Sequence, residues 1–151
     1  MPDIFTQRKR SAVMAAIRSH GNKATELRLI RVFRANSITG WRRGASLQWK
    51  AESGKLKAFR VKPDFVFPRL RVAVFVDGCF WHGCRRHATQ PKTNAAFWRD
   101  KITCNKARDR QVNRHLRKLG WNVVRIWEHE LGRKNEALLL ARIHRHLSPR
   151  P

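Results

Sequence analysis

The chain has 151 residues, which suits one domain with a single apolar core and is too short for two. Hydrophobic residues make up 42% of the composition, which excludes a disordered chain. Lys and Arg number 34 against 10 Asp and Glu, and the net charge of +24 indicates a polyanionic partner such as nucleic acid. On charge alone, an RNA- or ribosome-associated protein is an equal alternative.

The first ten residues contain no apolar stretch typical of a signal peptide, and no segment is long and apolar enough to span a bilayer. We therefore expect a cytoplasmic protein that has no membrane partner. Three cysteines, an odd number, favour free thiols or metal ligands over a disulfide framework.

Hydrophobic periodicity predicts one domain over residues 1–151, with elements in the order α-α-β-β-β-α-β-α and a mixed central sheet flanked by helices. In the first half of the chain we expect a basic N-terminal arm over 1–20 with a helix at 11–19, a helix at 24–35, and a basic loop over 37–56 with room for one strand near Trp41. Strands at 57–61, 64–67 and 71–76 follow. In the second half we expect an irregular loop over 77–94, a helix at 95–119 ended by Gly120, a strand at 122–127 and a helix at 135–147.

One acid stands at the start of a predicted apolar strand, where Asp64 follows Pro63. Such a side chain most often forms a hydrogen bond within its own turn. The alternative is a cation site, because Mg²⁺ binds one or two carboxylates together with water and phosphate oxygens. A chain with ten acids offers few other candidates for such a site.

The irregular loop contains Cys79, Cys84 and His87, whose spacing could supply three ligands of a tetrahedral Zn²⁺ site. The fourth ligand must come from elsewhere, with His129 as first choice and Cys104 as the rival. Two buried thiols beside a surface histidine need no metal. A long irregular loop, however, needs a crosslink to hold it, which favours zinc.

Three further residues lie between these candidate ligands. His82 is next to two large aromatic side chains that would fix its ring, which suits a general acid or base. Phe80 and Trp81 are not on an amphipathic face. They could act as wedges that unstack a duplex, or they could merely cover the zinc loop.

The long predicted helix has one face formed by Trp98, Ile102, Asn105, Asp109, Val112 and Leu116. Asn105 and Asp109 are polar interruptions of that face, so we expect them to point toward the active end of the sheet. They could instead only bind backbone groups of the loop, which is the commoner use of such residues.

These motifs resemble the very short patch repair DNA mismatch endonucleases over residues 11–131. The matching segments are Pro63-Asp64, Val76 to Cys84, Pro91 to Asn94, Phe97-Trp98, Lys101-Ile102, Asn105, Arg108-Asp109 and Trp127-Glu128. The resemblance implies a type II restriction-endonuclease-like fold with an α-β-β-β-α-β core. It also implies a nick 5′ of a thymine mispaired with guanine, the lesion left when 5-methylcytosine deaminates.

The resemblance also implies roles for individual residues. Asp64 and the main-chain carbonyl of Val76 would bind catalytic Mg²⁺, His82 would be the catalytic histidine, and Glu26 a supporting carboxylate. We group Asn105 and Asp109 with these catalytic residues. The implied zinc ligands are Cys79, Cys84, His87 and His129. The implied DNA-binding residues are Phe80, Trp81 and Trp98, which would open the duplex, together with Lys92, Asn94, Lys101 and Arg108.

Where related nucleases carry acid-x-Lys on the third strand, this chain reads Val74-Phe75-Val76, so His82 must do the work of that lysine. We expect a nucleoid-associated monomer that acts on mismatched double-stranded DNA, with a functional link to a cytosine-5 methyltransferase and to mismatch-repair proteins. The alternatives are a restriction or defence endonuclease that cuts unmismatched DNA, and a zinc-stabilised DNA-binding protein without catalysis.

Overall fold

The computed structural model describes residues 6–16, 25–49 and 59–148. Their helices and strands, in chain order, are α1 (Gln7–Ala16), α2 (Glu26–Ala35), β1 (Arg42–Arg43), β2 (Leu47–Trp49), β3 (Phe59–Val61), β4 (Phe65–Phe67), β5 (Val72–Asp77), α3 (Ala95–Lys118), β6 (Asn122–Trp127) and α4 (Glu136–Leu147). Two short 3₁₀ helices, Glu128–Leu131 and Arg133–Asn135, connect β6 to α4.

The main sheet has four strands in the order β1-β4-β5-β6. Strand β4 is antiparallel to both β1 and β5, whereas β5 and β6 are parallel and pair from Val72↔Asn122 to Asp77↔Trp127. The predicted α/β class, a mixed central sheet flanked by helices, is therefore confirmed.

Each face of the sheet is covered by an apolar cluster. On one face, side chains from α2 and α4 pack against the sheet, and Phe33 makes edge contacts with Phe65 and Phe67. The other face packs against α3, whose Val112 and Leu116 are buried. The two layers together enclose β5, which is why its run of apolar residues shows no alternation.

The prediction for the segment before β4 was wrong in two respects. The basic loop over 37–56 contains β1, close to Trp41 where one strand was expected, and a second strand, β2, that was not expected. The expected strand at 57–61, of which residues 57 and 58 lie outside the described residues, is not part of the main sheet. Residues 59–61 form β3, which pairs with β2 in a separate two-stranded sheet. Strand β2 was not predicted because it has only three residues, Leu47-Gln48-Trp49, within a stretch rich in Gly, Ser and basic residues.

The later elements agree with the prediction to within about one residue at each end. Every position of the predicted inner face of α3 is buried or half-buried, and the helix is followed by Gly120 with φ of +80°. The predicted N-terminal helix begins earlier, at Gln7, and its residues 17–19 lie outside the described residues. Among the helices of the described part of the chain, none is both long and apolar enough to cross a membrane.

The layer between the sheet and α3 changes from apolar to charged at one level. Its apolar part consists of Ala73, Phe75, Val112, Leu116 and Val123. Next to this apolar part, on the side of the carboxyl ends of β5 and β6, the positions that follow are Asp77 on β5, Arg125 on β6 and Asp109 on α3. The carboxyl ends of two parallel strands and the middle of α3 therefore present charged groups to one another, and this position defines the candidate site.

Candidate active site and metal centre

Two acidic side chains, Glu26 and Asp64, line a cavity of about 210 Å³. Asp64 immediately precedes β4, and its Oδ2 accepts a hydrogen bond of 2.7 Å from the main-chain N–H of Val76 on β5. Glu26 is the first residue of α2 and is 5% exposed; its Oε2 accepts a hydrogen bond of 2.8 Å from Nη2 of Arg43. The hydrogen bond from Val76 thus joins Asp64 to the neighbouring strand, β5.

The pKa of Asp64 is determined mainly by burial. Burial raises its pKa to about 7, and the negative charges of Glu26 and Asp77 add to that effect against the opposing hydrogen bond from Val76. A hard cation would stabilise ionised carboxylates in such a place, and carboxylate oxygens are ligands that Mg²⁺ prefers. The Glu26 and Asp64 pair therefore fits a divalent cation.

His82 lies among a second group of acids, on the side of the sheet that faces α3. Its Nδ1 is 2.6 Å from Oδ2 of Asp109 and 3.8 Å from Oδ1 of Asp77. Burial alone would lower the pKa of His82, but the hydrogen bond to Asp109 and the charges of both acids outweigh burial and raise it. Asp109 thus holds the ring by one nitrogen, which leaves the other nitrogen for a reacting group.

Asp77 and Arg125 are site residues that the sequence analysis missed. Asp77 is 4% exposed, and burial raises its pKa although Nη1 of Arg125 donates to both of its oxygens, at 2.8 and 3.0 Å. Nη2 of Arg125 is also 3.3 Å from Oδ1 of Asp109. The available signal was a charged residue inside the apolar run Val123-Val124-Arg125-Ile126.

Asn105 has a different environment from Asp109, although the two were predicted together. Its Nδ2 donates a hydrogen bond of 2.9 Å to the main-chain carbonyl of Trp81. This contact is the alternative considered for both residues, and it fastens the loop onto α3. Asp109, by contrast, contacts the side chains of His82 and Arg125.

The four predicted zinc ligands lie together: Cys79, Cys84, His87 and His129 place one ligand atom each within 4.8 Å of the others. Nδ1 of His129 is 3.4 Å from Sγ of Cys79 and 3.6 Å from Sγ of Cys84, which is itself 3.8 Å from Nδ1 of His87. Zn–S and Zn–N bonds of about 2.3 and 2.0–2.1 Å put sulfur and nitrogen about 3.6 Å apart in a tetrahedron. The donor set therefore fits zinc, whereas Cys104 is exposed.

The two thiols of this cluster differ in acidity. Burial and the adjacent Cys84 raise the pKa of Cys79. Burial would also raise the pKa of Cys84, but hydrogen bonds from the side chain of His87 and from two backbone amides lower it to about 7. The N–H of Cys79 donates to Oε2 of Glu128, so the loop is also joined to the 3₁₀ helix that contains His129. Both thiols are free of disulfides.

The three predicted aromatic side chains form one cluster. The ring centroids of Phe80 and Trp81 lie 5.3 Å apart. The ring centroid of Trp98 lies 5.3 Å from that of Phe80 and 5.8 Å from that of Trp81, and all three pairs are edge-on. Phe97, which the sequence analysis did not select, is 60% exposed and contacts Trp98 at 5.3 Å. The loop and the start of α3 thus share an aromatic surface that is partly open to solvent.

The four predicted polar DNA contacts, Lys92, Asn94, Lys101 and Arg108, are all exposed. Asn94 has a left-handed backbone with φ of 54° immediately before α3. Arg85 and Arg86 are exposed as well; they belong to the loop that carries the candidate zinc ligands, residues 79–87, called the metal loop below. Both border a groove of about 850 Å³ that reaches His82. Cationic side chains therefore line the same groove as the acids Asp77 and Asp109.

Together these features are those of a hydrolytic enzyme acting on nucleic acid, with a candidate cation site and a histidine held by an acid. A family model for the DNA mismatch endonuclease Vsr matches residues 2–88. The chain is 34% identical to the DNA mismatch endonuclease Vsr of Escherichia coli (strain K12) over 129 residues, 85% of this chain and 74% of that protein. The chain belongs to the Vsr DNA mismatch endonuclease family.

Other relatives have different names. The type II nicking enzyme V.NmeAIP of Neisseria meningitidis is 37% identical over 147 residues, 96% of this chain and 94% of that protein. The type II nicking enzyme V.NaeI of Lentzea aerocolonigenes is 55% identical over 71 residues, 47% of this chain and 43% of that protein. The protein is thus a DNA endonuclease of a divalent-metal-dependent family, which decides against the non-catalytic and RNA-associated alternatives.

The contact of the metal loop with α3 leads to a prediction about Gly83. Its φ is +62°, and a Cβ there would lie 2.8 Å from Cγ2 of Ile102. Gly40 is a matched control, because its φ is +84° but a Cβ would meet no atom within 4 Å. Gly83→Ala should cost about 1 kcal/mol or more beyond Gly40→Ala, through overpacking added to backbone strain. Urea unfolding of both variants tests this prediction. Equal losses in the free energy of unfolding would show that the loop can move away from α3 without destabilising the protein.

Proposed function

We propose that the protein nicks one strand of double-stranded DNA on the 5′ side of a thymine mispaired with guanine, by Mg²⁺-dependent hydrolysis of the phosphodiester bond. The observation that carries this proposal is one juxtaposition of groups around the carboxyl end of β5. The carboxylate of Asp64 binds the N–H of Val76, Asp77 follows on the strand, and His82 and its partner Asp109 adjoin Asp77. The aromatic cluster begins in the same loop as His82.

Asp64 and the main-chain carbonyl of Val76 would hold the Mg²⁺ ion, with Glu26 as a supporting carboxylate. The ion would supply positive charge to the phosphate oxygens of the scissile bond and orient them. Asp64 suits this role because it is a half-buried acid next to a second acid, and because its position is fixed by the hydrogen bond to β5.

His82 would assist proton transfer between the attacking water and the departing oxygen. Asp109 accepts a hydrogen bond from Nδ1–H, so Nε2 is the nitrogen that can exchange a proton with water. This assignment fits the absence of lysine from the third strand of the sheet, which reads Val74-Phe75-Val76. Asn105 contributes by holding the carbonyl of Trp81, the residue before His82.

A test of the cation site is Asp64→Asn, which removes one charge and keeps the shape of the side chain. The variant should lose nicking activity almost completely, while its affinity for duplex DNA changes only a few-fold because exposed Lys and Arg provide most of the binding. Asp100→Asn, at an exposed position of α3, is the matched control and should nick like the unmodified protein. Nicking by the Asp64 variant at the unmodified rate would contradict the site.

We also propose that Cys79, Cys84, His87 and His129 hold one structural Zn²⁺. The supporting observation is the agreement of three ligand-to-ligand distances, 3.4, 3.6 and 3.8 Å, with a tetrahedron around zinc. Bound zinc would close the irregular loop against the 3₁₀ helix after β6. It would therefore hold the residues between Cys79 and Cys84 in place.

Removal of one thiol tests the zinc proposal. Cys84→Ala should lower the zinc content from about one ion per chain toward zero, and it should lower the unfolding temperature as well, because metal binding contributes to folding. Cys104→Ser is the control, since that thiol is exposed and outside the cluster. Elemental analysis and thermal unfolding provide the measurements. A fully folded protein that is purified without zinc would rule out the site.

The mismatch preference would arise from the cluster of Phe80, Trp81 and Trp98. Inserting aromatic rings into a duplex costs a few kcal/mol per base step, and the cost is lowest where pairing is already faulty. A T·G pair would therefore open more readily than an intact pair. The partial exposure of all three rings and their mutual contacts support a role as a preformed wedge.

If these rings act as a wedge, Trp81→Ala should lower the ratio of nicking rates on mismatched and matched duplexes, by about tenfold if one lost stacking contact is worth about 1–3 kcal/mol. Phe80→Ala should act in the same direction. Leu70→Ala, which removes an exposed apolar side chain in the turn after β4, should leave the ratio unchanged. An unchanged ratio for Trp81→Ala would mean that the rings only pack against the metal loop.

A second candidate function is endonuclease action on unmismatched DNA, as in restriction or defence systems. The observation in its favour is that relatives from Neisseria and Lentzea are named type II nicking enzymes. The two candidates differ in one measurement, since only the second predicts equal nicking of matched and T·G duplexes of the same sequence.

We further propose a type II restriction-endonuclease-like core made of α2, β1, β4, β5, α3 and β6. The order α-β-β-β-α-β of these elements and the parallel pairing of the last two strands support it. In this scheme the protein acts as a monomer. It would be linked functionally to a cytosine-5 methyltransferase, whose product deaminates to give the T·G lesion, and to mismatch-repair proteins.

A further inference from the structure

We propose that Arg125 is a positioning residue for the nicking reaction, which acts by holding Asp109 so that Asp109 can hold the ring of His82. The inference rests on the proposed role of His82 and extends it to a residue on β6, 43 positions further along the chain (125 − 82). Arg125 is assigned this role because its guanidinium group forms ion pairs with both Asp77 and Asp109, the two acids that face Nδ1 of His82.

The guanidinium group of Arg125 is held from several sides. Nη1 donates to both carboxylate oxygens of Asp77, at 2.8 and 3.0 Å, and Nη2 is 3.3 Å from Oδ1 of Asp109. Nε donates a hydrogen bond of 2.9 Å to Oδ1 of Asn113. Since Asp77 belongs to β5 and the other two residues to α3, one side chain of β6 links three elements.

Asp109 is held at both of its oxygens. Oδ1 lies next to Arg125, and Oδ2 lies 2.6 Å from Nδ1 of His82. Without the guanidinium group, the carboxylate could rotate about its Cβ–Cγ bond and the His82 ring would lose its fixed orientation. Oδ1 of Asp77, 3.8 Å from the same nitrogen of His82, also accepts a hydrogen bond from Arg125.

The side chain of Arg125 is itself held in place by the neighbouring strand. It pairs with Phe75 in the parallel register of β5 and β6, and its guanidinium lies 4.5 Å from the centroid of that ring. The side chain is 18% exposed. Such a planar group with several fixed donors can hold two acids and an amide at once, whereas a lysine ammonium is a point charge on a flexible stem.

This difference provides the variants for a test. Arg125→Lys keeps the positive charge beside Asp77 and should fold, but it should hold only one of the two acids. Arg125→Met removes the charge altogether. Each variant is made in the unmodified chain and in a His82→Ala chain, with Arg114→Lys, at an exposed position of α3, as the control. Single-turnover nicking is measured on the duplex that the unmodified protein nicks fastest, with Mg²⁺, beside duplex affinity and thermal unfolding.

We expect both Arg125 variants to reduce the single-turnover rate constant about tenfold or more, with duplex affinity changed only a few-fold. His82→Ala should reduce it about 10²- to 10⁴-fold, and Arg125→Lys should add little further loss in that background, because the arginine acts through the histidine. Arg114→Lys should behave like the unmodified protein.

Two other outcomes would overturn the inference in distinguishable ways. If His82→Ala is slow but Arg125→Lys either has no effect or reduces the rate equally in both backgrounds, Arg125 does not act through His82, and the proposed function is unaffected. If His82→Ala nicks at the unmodified rate, the proposed role of His82 is wrong, and the role of Arg125 falls with it.

Discussion

The parallel pairing of β5 and β6 is the constraint on which the site depends. Parallel neighbours cannot be joined by a tight turn, so the chain must leave the sheet after Asp77 and cross over before Asn122. The crossing segment first forms the metal loop and then α3, which covers one face of the sheet. Since both strands end at the same level, the loop after β5 and the 3₁₀ helix after β6 adjoin, and this brings Cys79 and Cys84 within reach of His129.

The distribution of charge follows from the same geometry. The chain has only ten acids, and Glu26, Asp64, Asp77 and Asp109 are all buried or half-buried beside the ends of the strands. Many of the basic side chains around them are exposed. A positive outer surface attracts the phosphates of DNA, whereas a small negative interior suits a divalent cation. The same chain therefore offers charges of opposite sign to its two expected ligands.

The sequence predicted best those parts that depend on local periodicity or on unusual residue types. Strand Asn122–Trp127 and the inner face of α3 were correct because long apolar patterns report burial directly. Strand β2 was not foreseen because its three residues are too few to show such a pattern. The contact of Asp77 with Arg125 was missed for another reason: it joins residues 48 positions apart, and only the register of two strands reveals that they meet.

The segment between Cys79 and Cys84 has a consequence for how such a protein can change over time. Its four residues are Phe80, Trp81, His82 and Gly83: two for the proposed wedge, one for the proposed proton transfer, and one whose missing Cβ permits contact with Ile102. Both ends are anchored by the cysteines, so an inserted or deleted residue would displace several of these groups at once. New specificity must therefore arise by substitution at constant length, and an engineered library of this segment should vary residue identity and never loop size.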